Sequence, residues 1–230
     1  MPKKDILFFL TILLFFHPFF AYPKVYQFYI QFNGEHGLIM AFLKFAVLAT
    51  LGEVIGLRIR KGVYIEKGFG IIPRALVWGF LGLTIKVAFI IFAVGTPAFL
   101  VYLGFKDAPL FMQGDLSWAK VGVAFSISVA MNLIYAPVMM TLHKITDMHI
   151  IQNKGTLIGF LKPVKMRWIF GNLNWDLMWN FVFKKTIPFF WIPAHTITFL
   201  LAPDFQVLFA ALLGIALGTI LAVAELFNEK

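Results

Sequence analysis

Cysteine is absent from this sequence, which excludes disulfides, thiolate-bound metals and cysteine nucleophiles and leaves the redox compartment undefined. Serine is nearly as scarce: Ser117, Ser126 and Ser128 are the only three in 230 residues, and none lies in a GxSxG turn. Charge is thin as well. Charged residues make up 13% of the chain, against about 25% in soluble domains, while 60% are hydrophobic and 28 are phenylalanine. These proportions exclude an ordinary soluble domain and imply an integral membrane protein. The net charge of +9 would suit a nucleic-acid partner, but lysine-rich cytoplasmic loops produce the same excess. Membrane lipids are the expected partner, and nucleic acid is not.

What is present in quantity is long apolar sequence. Runs able to cross a roughly 30 Å hydrocarbon core, which takes about 20 helical residues, lie near 37–57, 75–103, 118–142, 178–201 and 205–226. A shorter run, 6–22, follows Lys3 and Lys4 and fits a signal peptide, an uncleaved anchor or an interfacial helix. His17-Pro18 and bulky Phe19 and Phe20 stand where a small-residue cleavage site would be, which favours an uncleaved segment. The expected fold is therefore an all-α polytopic transmembrane bundle of five to six segments. Residues 1–36 form an N-terminal anchor and connection, and 37–226 form one helical membrane domain.

Basic residues orient the spans. Arg58, Arg60, Lys61, Lys67 and Arg74 fall in loop 58–74, and Lys144, Lys154, Lys162, Lys165 and Arg167 in loop 143–174. The alternate connections 23–36 and 104–117 carry only Lys24 and Lys106. The positive-inside rule places both rich loops in the cytoplasm, and with six crossings both chain ends lie there too. Segment 178–201, with Lys184, Lys185, Pro188 and Pro193, reads as a broken or re-entrant helix.

Small residues at four-residue spacing mark close helix approaches. Gly52 and Gly56 form one GxxxG pair, and Gly214 and Gly218, continued by Ala222, form another. Packing within one chain is the simpler reading, and a homo-oligomer is the alternative. Within the apolar runs the polar residues are Lys44, Glu53, Lys86, Asn132 and, near the end, Glu225. Each is costly against lipid and should face other helices or water. Lys44 reads as a snorkelling lysine. Glu53 is the expected counter-charge for Lys86 one helix later, provided the lysine reaches inward.

These residues carry a resemblance. Gly52-Glu53 resembles the small-acidic pair in the first helix of the Mpv-seventeen and peroxisomal membrane protein family. The segment around Lys86 is similar to that family's GPxxHxWY pattern: Gly82 and Phe89 match, and Leu83, Lys86 and Ala88 replace the proline, histidine and tryptophan. "NLIYAP" resembles the DQxxxxP helix, with Asn132 on the glutamine, Met131 on the aspartate and Pro137 on the proline. "PFFWIPAH" resembles NFxxVPxxxR through Phe189, Ile192 and Pro193, with Ile197 in place of the arginine. The resemblance covers about 37–226 and implies a helical integral protein with non-selective channel activity. It also implies a mitochondrial inner or peroxisomal membrane in a eukaryote, and the inner membrane for a prokaryotic member.

Enzyme chemistry has little material. "HKITDMH" places His143 and Asp147 four apart on one helix face and adds His149, a faint metal or acid–base pattern without the HExxH spacing. No GxGxxG or Walker loop occurs, so no cofactor is expected and the chain is not expected to be an enzyme. The first expectation is a small-solute pore or weakly selective channel lined or braced by Glu53, Lys86 and Asn132, its solute unspecified. The alternative is a structural or scaffolding membrane protein in which the same residues close on one another.

Overall fold

A computed structural model describes residues 3–228, apart from the side chains of Leu221 and residues 223–228, so Glu225 lies outside the described side chains. The chain divides into two units between Met40 and Ala41. In the first, helix α1 (Lys3–Ala21) turns at Tyr22, which is extended at φ −121°, into helix α2 (Pro23–Glu35). Pro23 opens α2 because its missing N–H has no partner to lose in a first turn. Residues 23–35, expected as a connection, are thus helical. Phe19 packs edge-to-face on Tyr29 across the two helices at 5.7 Å.

Helix α3 (Gly37–Lys61) begins in the first unit and runs through the second. It is followed by α4 (Ile71–Tyr102), α5 (Ala108–Gln113), α6 (Trp118–Gln152), α7 (Leu157–Phe160), α8 (Met166–Asn172) and α9 (Trp175–Leu177). A π-helix (Met178–Trp191), α10 (Ile192–Leu200) and α11 (Pro203–Asn228) complete the chain, and no strand occurs among the described residues. Five helices are long and apolar enough to cross a membrane: α1, α3, α4, α6 and α11 over Pro203–Ile220. The fold is an all-α bundle of membrane-spanning type.

Two helices outrun the bilayer. At about 1.5 Å per residue, the 32-residue α4 and 35-residue α6 reach roughly 50 Å, well beyond a hydrocarbon core of about 30 Å. Helix α6 therefore includes residues 143–152, expected as loop. Ile145, His149 and Ile150 bury one stripe of that extension, which keeps it helical beyond the apolar run.

The segment expected to be broken is continuous. Its π-helical part, where Ile192 N bonds back to Ile187 O, passes directly into α10. Met178 packs with Ile145, Ile187 and Ile192 pack with Ala136, and Ser128 bonds the Ile192 carbonyl. Rising residue numbers on one strand of this contact meet falling numbers on the other, so Met178–Leu200 runs antiparallel along α6. Pro188 and Pro193 lack the N–H of a regular α-helix, and the wider winding accommodates one of them inside the run.

The two basic loops meet. Gly70 and Gly155 adopt φ +74° and +64°, and a Cβ on Gly155 would stand 2.5 Å from the Gly68 oxygen and 2.6 Å from Gly70 N. Only glycine allows this backbone approach, so both loops share one end of the bundle. A similar constraint acts within it: a Cβ on Gly82 of α4 would lie 2.6 Å from the Ala41 oxygen and 2.7 Å from Phe45 Cβ of α3. Gly82→Ala should therefore destabilise the detergent-solubilised protein by about 1–3 kcal/mol through overpacking. Gly95→Ala, which meets nothing within 4 Å, should leave thermal unfolding unchanged or slightly raised. Equal melting of the two variants would contradict the α3–α4 approach.

Candidate functional site

The densest polar cluster lies where α3, α4 and α6 approach the end with the basic loops. Arg74 and Trp78 are one turn apart on α4, His143 and Asp147 one turn apart on α6, and Glu53 comes from α3. One Glu53 oxygen, Oε2, is paired with Arg74 Nη1. The other accepts from Trp78 Nε1 at 2.6 Å and lies 3.3 Å from His143 Nε2. Arg74 Nη2 stands 2.5 Å from Asp147 Oδ1, an ion contact made off the hydrogen-bonding direction. Lys144 reaches the other Asp147 oxygen at 3.3 Å.

Arg74 is held from its loop side as well. Its Nε donates to the Phe69 carbonyl at 2.7 Å, and its guanidinium lies 4.6 Å from the Phe69 ring centroid. Left-handed Gly70 turns the chain so that Phe69 can do this. The indole of Trp78 faces the His143 imidazole at 4.3 Å. The gap left between these side chains is too narrow to hold a water molecule. The arrangement suits charge neutralisation.

A second cluster lies midway along α6. Asn132 and Ser128 are fully buried, and His195 of α10 is nearly so. His195 Nδ1 is 3.0 Å from Asn132 Nδ2 and 3.1 Å from Asn132 Oδ1, and Asn132 Nδ2 donates to the Ser128 carbonyl at 2.8 Å. Ser128 Oγ donates to the Ile192 carbonyl at 2.7 Å. Trp191, Phe89 and Phe199 wall the group in. Polar atoms enclosed by aromatic rings have no water to turn to, so they satisfy one another.

The expected site residues therefore separate. Glu53 does not pair with Lys86: Arg74, Trp78 and His143 occupy it, because Arg74 begins α4 at the level of Glu53 whereas Lys86 lies three turns further along. Lys86 is half-buried and has no carboxylate partner among the described residues. Lys44 is buried rather than snorkelling, within electrostatic reach of Lys86 and of Asp204 at the start of α11. Gly52 approaches Ile215, whose Cα would stand 3.0 Å from an added Cβ, and Gly56 and Gly218 lie across the same contact. Gly214 faces open space.

His143, Asp147 and His149 do not converge. His149 turns away to the Phe160 carbonyl at 3.0 Å and ties α7 to α6. No group of three His, Asp or Glu side chains that could hold a metal occurs among the described residues. Arg74, Trp78, Ser128 and His195 were not singled out from sequence. Arg74 was counted with its basic loop, although its position four residues before Trp78, just after Pro73, signals one face of a helix start.

Asn132→Leu and His195→Phe should each cost about 1–2 kcal/mol, since each leaves a buried polar partner unsatisfied. Their combination should cost less than the sum. Strict additivity in detergent unfolding would dissociate the two residues.

Compared with known proteins, the chain matches no family description, no curated protein and no solved structure.

Proposed function

We propose that this chain is a structural membrane protein, a closed helical bundle that acts through its surfaces and conducts no solute. One observation carries this reading: two of the three polar residues expected to line a pore, Glu53 and Asn132, are occupied by neighbouring side chains. Glu53 is occupied by Arg74, Trp78 and His143, and Asn132 by Ser128 and His195. A conducting path needs polar groups presented to water along its length. Membership of the Mpv-seventeen family belongs to the same proposal. It rests on the motif resemblance alone, "NLIYAP" and "PFFWIPAH" among its segments. The basic-loop end is assigned to the cytoplasmic side, because both loops with excess lysine and arginine lie there.

The channel reading rests on Lys86. A half-buried lysine without a carboxylate partner, near buried Lys44, is the charge an anion path would present. Reconstitution into liposomes separates the two. The structural reading predicts that sized solutes and chloride leave protein-containing vesicles no faster than protein-free ones, for the parent and for Lys86→Met alike. Solute release above background, with an anion preference that Lys86→Glu shifts toward cations, would replace it with the channel.

A further inference from the structure

Residues 154–185 contain Lys154, Lys162, Lys165, Arg167, Lys184 and Lys185 against a single acid, Asp176. Among the described residues none of Lys162, Lys165 and Arg167 forms an ion pair; Lys165 and Arg167, with Met166 and Trp168, line an open hollow. The same stretch turns large rings outward: Trp168, Phe170, Trp175 and Trp179 are 41–57% exposed. Apolar rings beside unpaired basic groups suit the boundary between acyl chains and headgroups, where Trp concentrates and cations meet lipid phosphates.

The segment is also held at a fixed level. Its inner side, Ile169, Leu173 and Met178, is buried against Ile145 of α6. Ile145 lies three residues beyond the apolar run 118–142, just past His143 and Lys144, at the height where a span leaves the hydrocarbon. Trp175 Nε1 donates to the Phe170 carbonyl at 3.0 Å and the two rings stack at 6.0 Å, so the outward face is pre-formed. Lys184, one turn into the π-helix, lies 5.5 Å from the Trp179 ring centroid and extends the cationic rim.

We infer that residues 162–181 form an in-plane face that binds anionic phospholipid headgroups in the leaflet at the basic-loop end of the bundle. Lys162, Lys165 and Arg167 supply the charge, and the outward tryptophans seat the upper acyl chains. The inference needs the chain to be membrane-embedded and is independent of whether the bundle conducts. A basic residue at an anionic surface favours association roughly fivefold, so three acting together give strong lipid selection.

The full chain reconstituted in phosphatidylcholine vesicles provides the test. A minor fraction of phosphatidylglycerol, brominated high on its acyl chains, is compared with the same fraction of brominated phosphatidylcholine as quencher of tryptophan fluorescence. Brominated phosphatidylglycerol should quench severalfold more per lipid in the parent. The excess should largely vanish in a Lys162→Gln, Lys165→Gln, Arg167→Gln variant and persist in Lys106→Gln, which alters the connection at the opposite end. Should the triple variant not fold, Trp168→Phe with Trp175→Phe and Trp179→Phe keeps the charges and removes the reporters of this face, and the excess must fall there. Equal quenching by the two lipids in the parent, or an excess that survives the triple basic change or the loss of these three tryptophans, would overturn the inference.

Discussion

Arg74 sits between two carboxylates from two other helices, and much of the bundle's register follows from that placement. Without it Glu53 on α3 would keep only Trp78 and His143, and Asp147 on α6 only Lys144, at the membrane boundary. One guanidinium joins them because its planar fork offers donors on several edges, with Nη1 to Glu53, Nη2 near Asp147 and Nε to the Phe69 carbonyl. The third of these bonds fixes the loop as well as the helices. Phe69 leads into left-handed Gly70, and the Gly68–Gly70 backbone rests on Gly155, so the second basic loop is placed through the same residue.

The middle of the membrane is organised differently. No full charges meet at Asn132; a neutral chain of hydrogen bonds from His195 through Asn132 to Ser128 and the Ile192 carbonyl ties the π-helix and α10 to α6. Neutral groups suit this depth, where desolvating an ion costs most. Such bonds contribute modestly, about 0.6 kcal/mol on average between membrane helices, so their main effect is to fix one register. Ionic closure at one end and neutral closure at mid-depth together account for the inward-facing polar residues of these two clusters.

Much of this was legible in the sequence. Apolar runs of membrane length located α3, α4, α6 and α11, and the shorter run 6–22 located α1, because hydrocarbon leaves the backbone no alternative to helix; the run 178–201 became the π-helix and α10 and is not among the five. The shared end of the two basic loops also followed from charge distribution. Four features were hidden for identifiable reasons. Residues 143–152 read as loop because their polarity masked the buried stripe of Ile145, His149 and Ile150. Arg74 was read as a loop cation because counting charges for orientation takes no account of helix faces. Glu53 was assigned to Lys86 because both stood out within apolar runs, whereas its partner stands outside such a run, one loop away. His195 lacked any sequence signal until its helix was laid antiparallel to α6.

The central claim is that Arg74 neutralises Glu53 and Asp147 together. Its most direct test is thermal unfolding, in one detergent, of Arg74→Met beside the triple variant Arg74→Met, Glu53→Gln, Asp147→Asn. Removing the arginine alone should cost up to about 3–5 kcal/mol, because two largely buried carboxylates lose the guanidinium they share, and the triple change should restore most of that loss. An Arg74→Met protein that melts with the parent, or a triple variant less stable than Arg74→Met, would contradict the account.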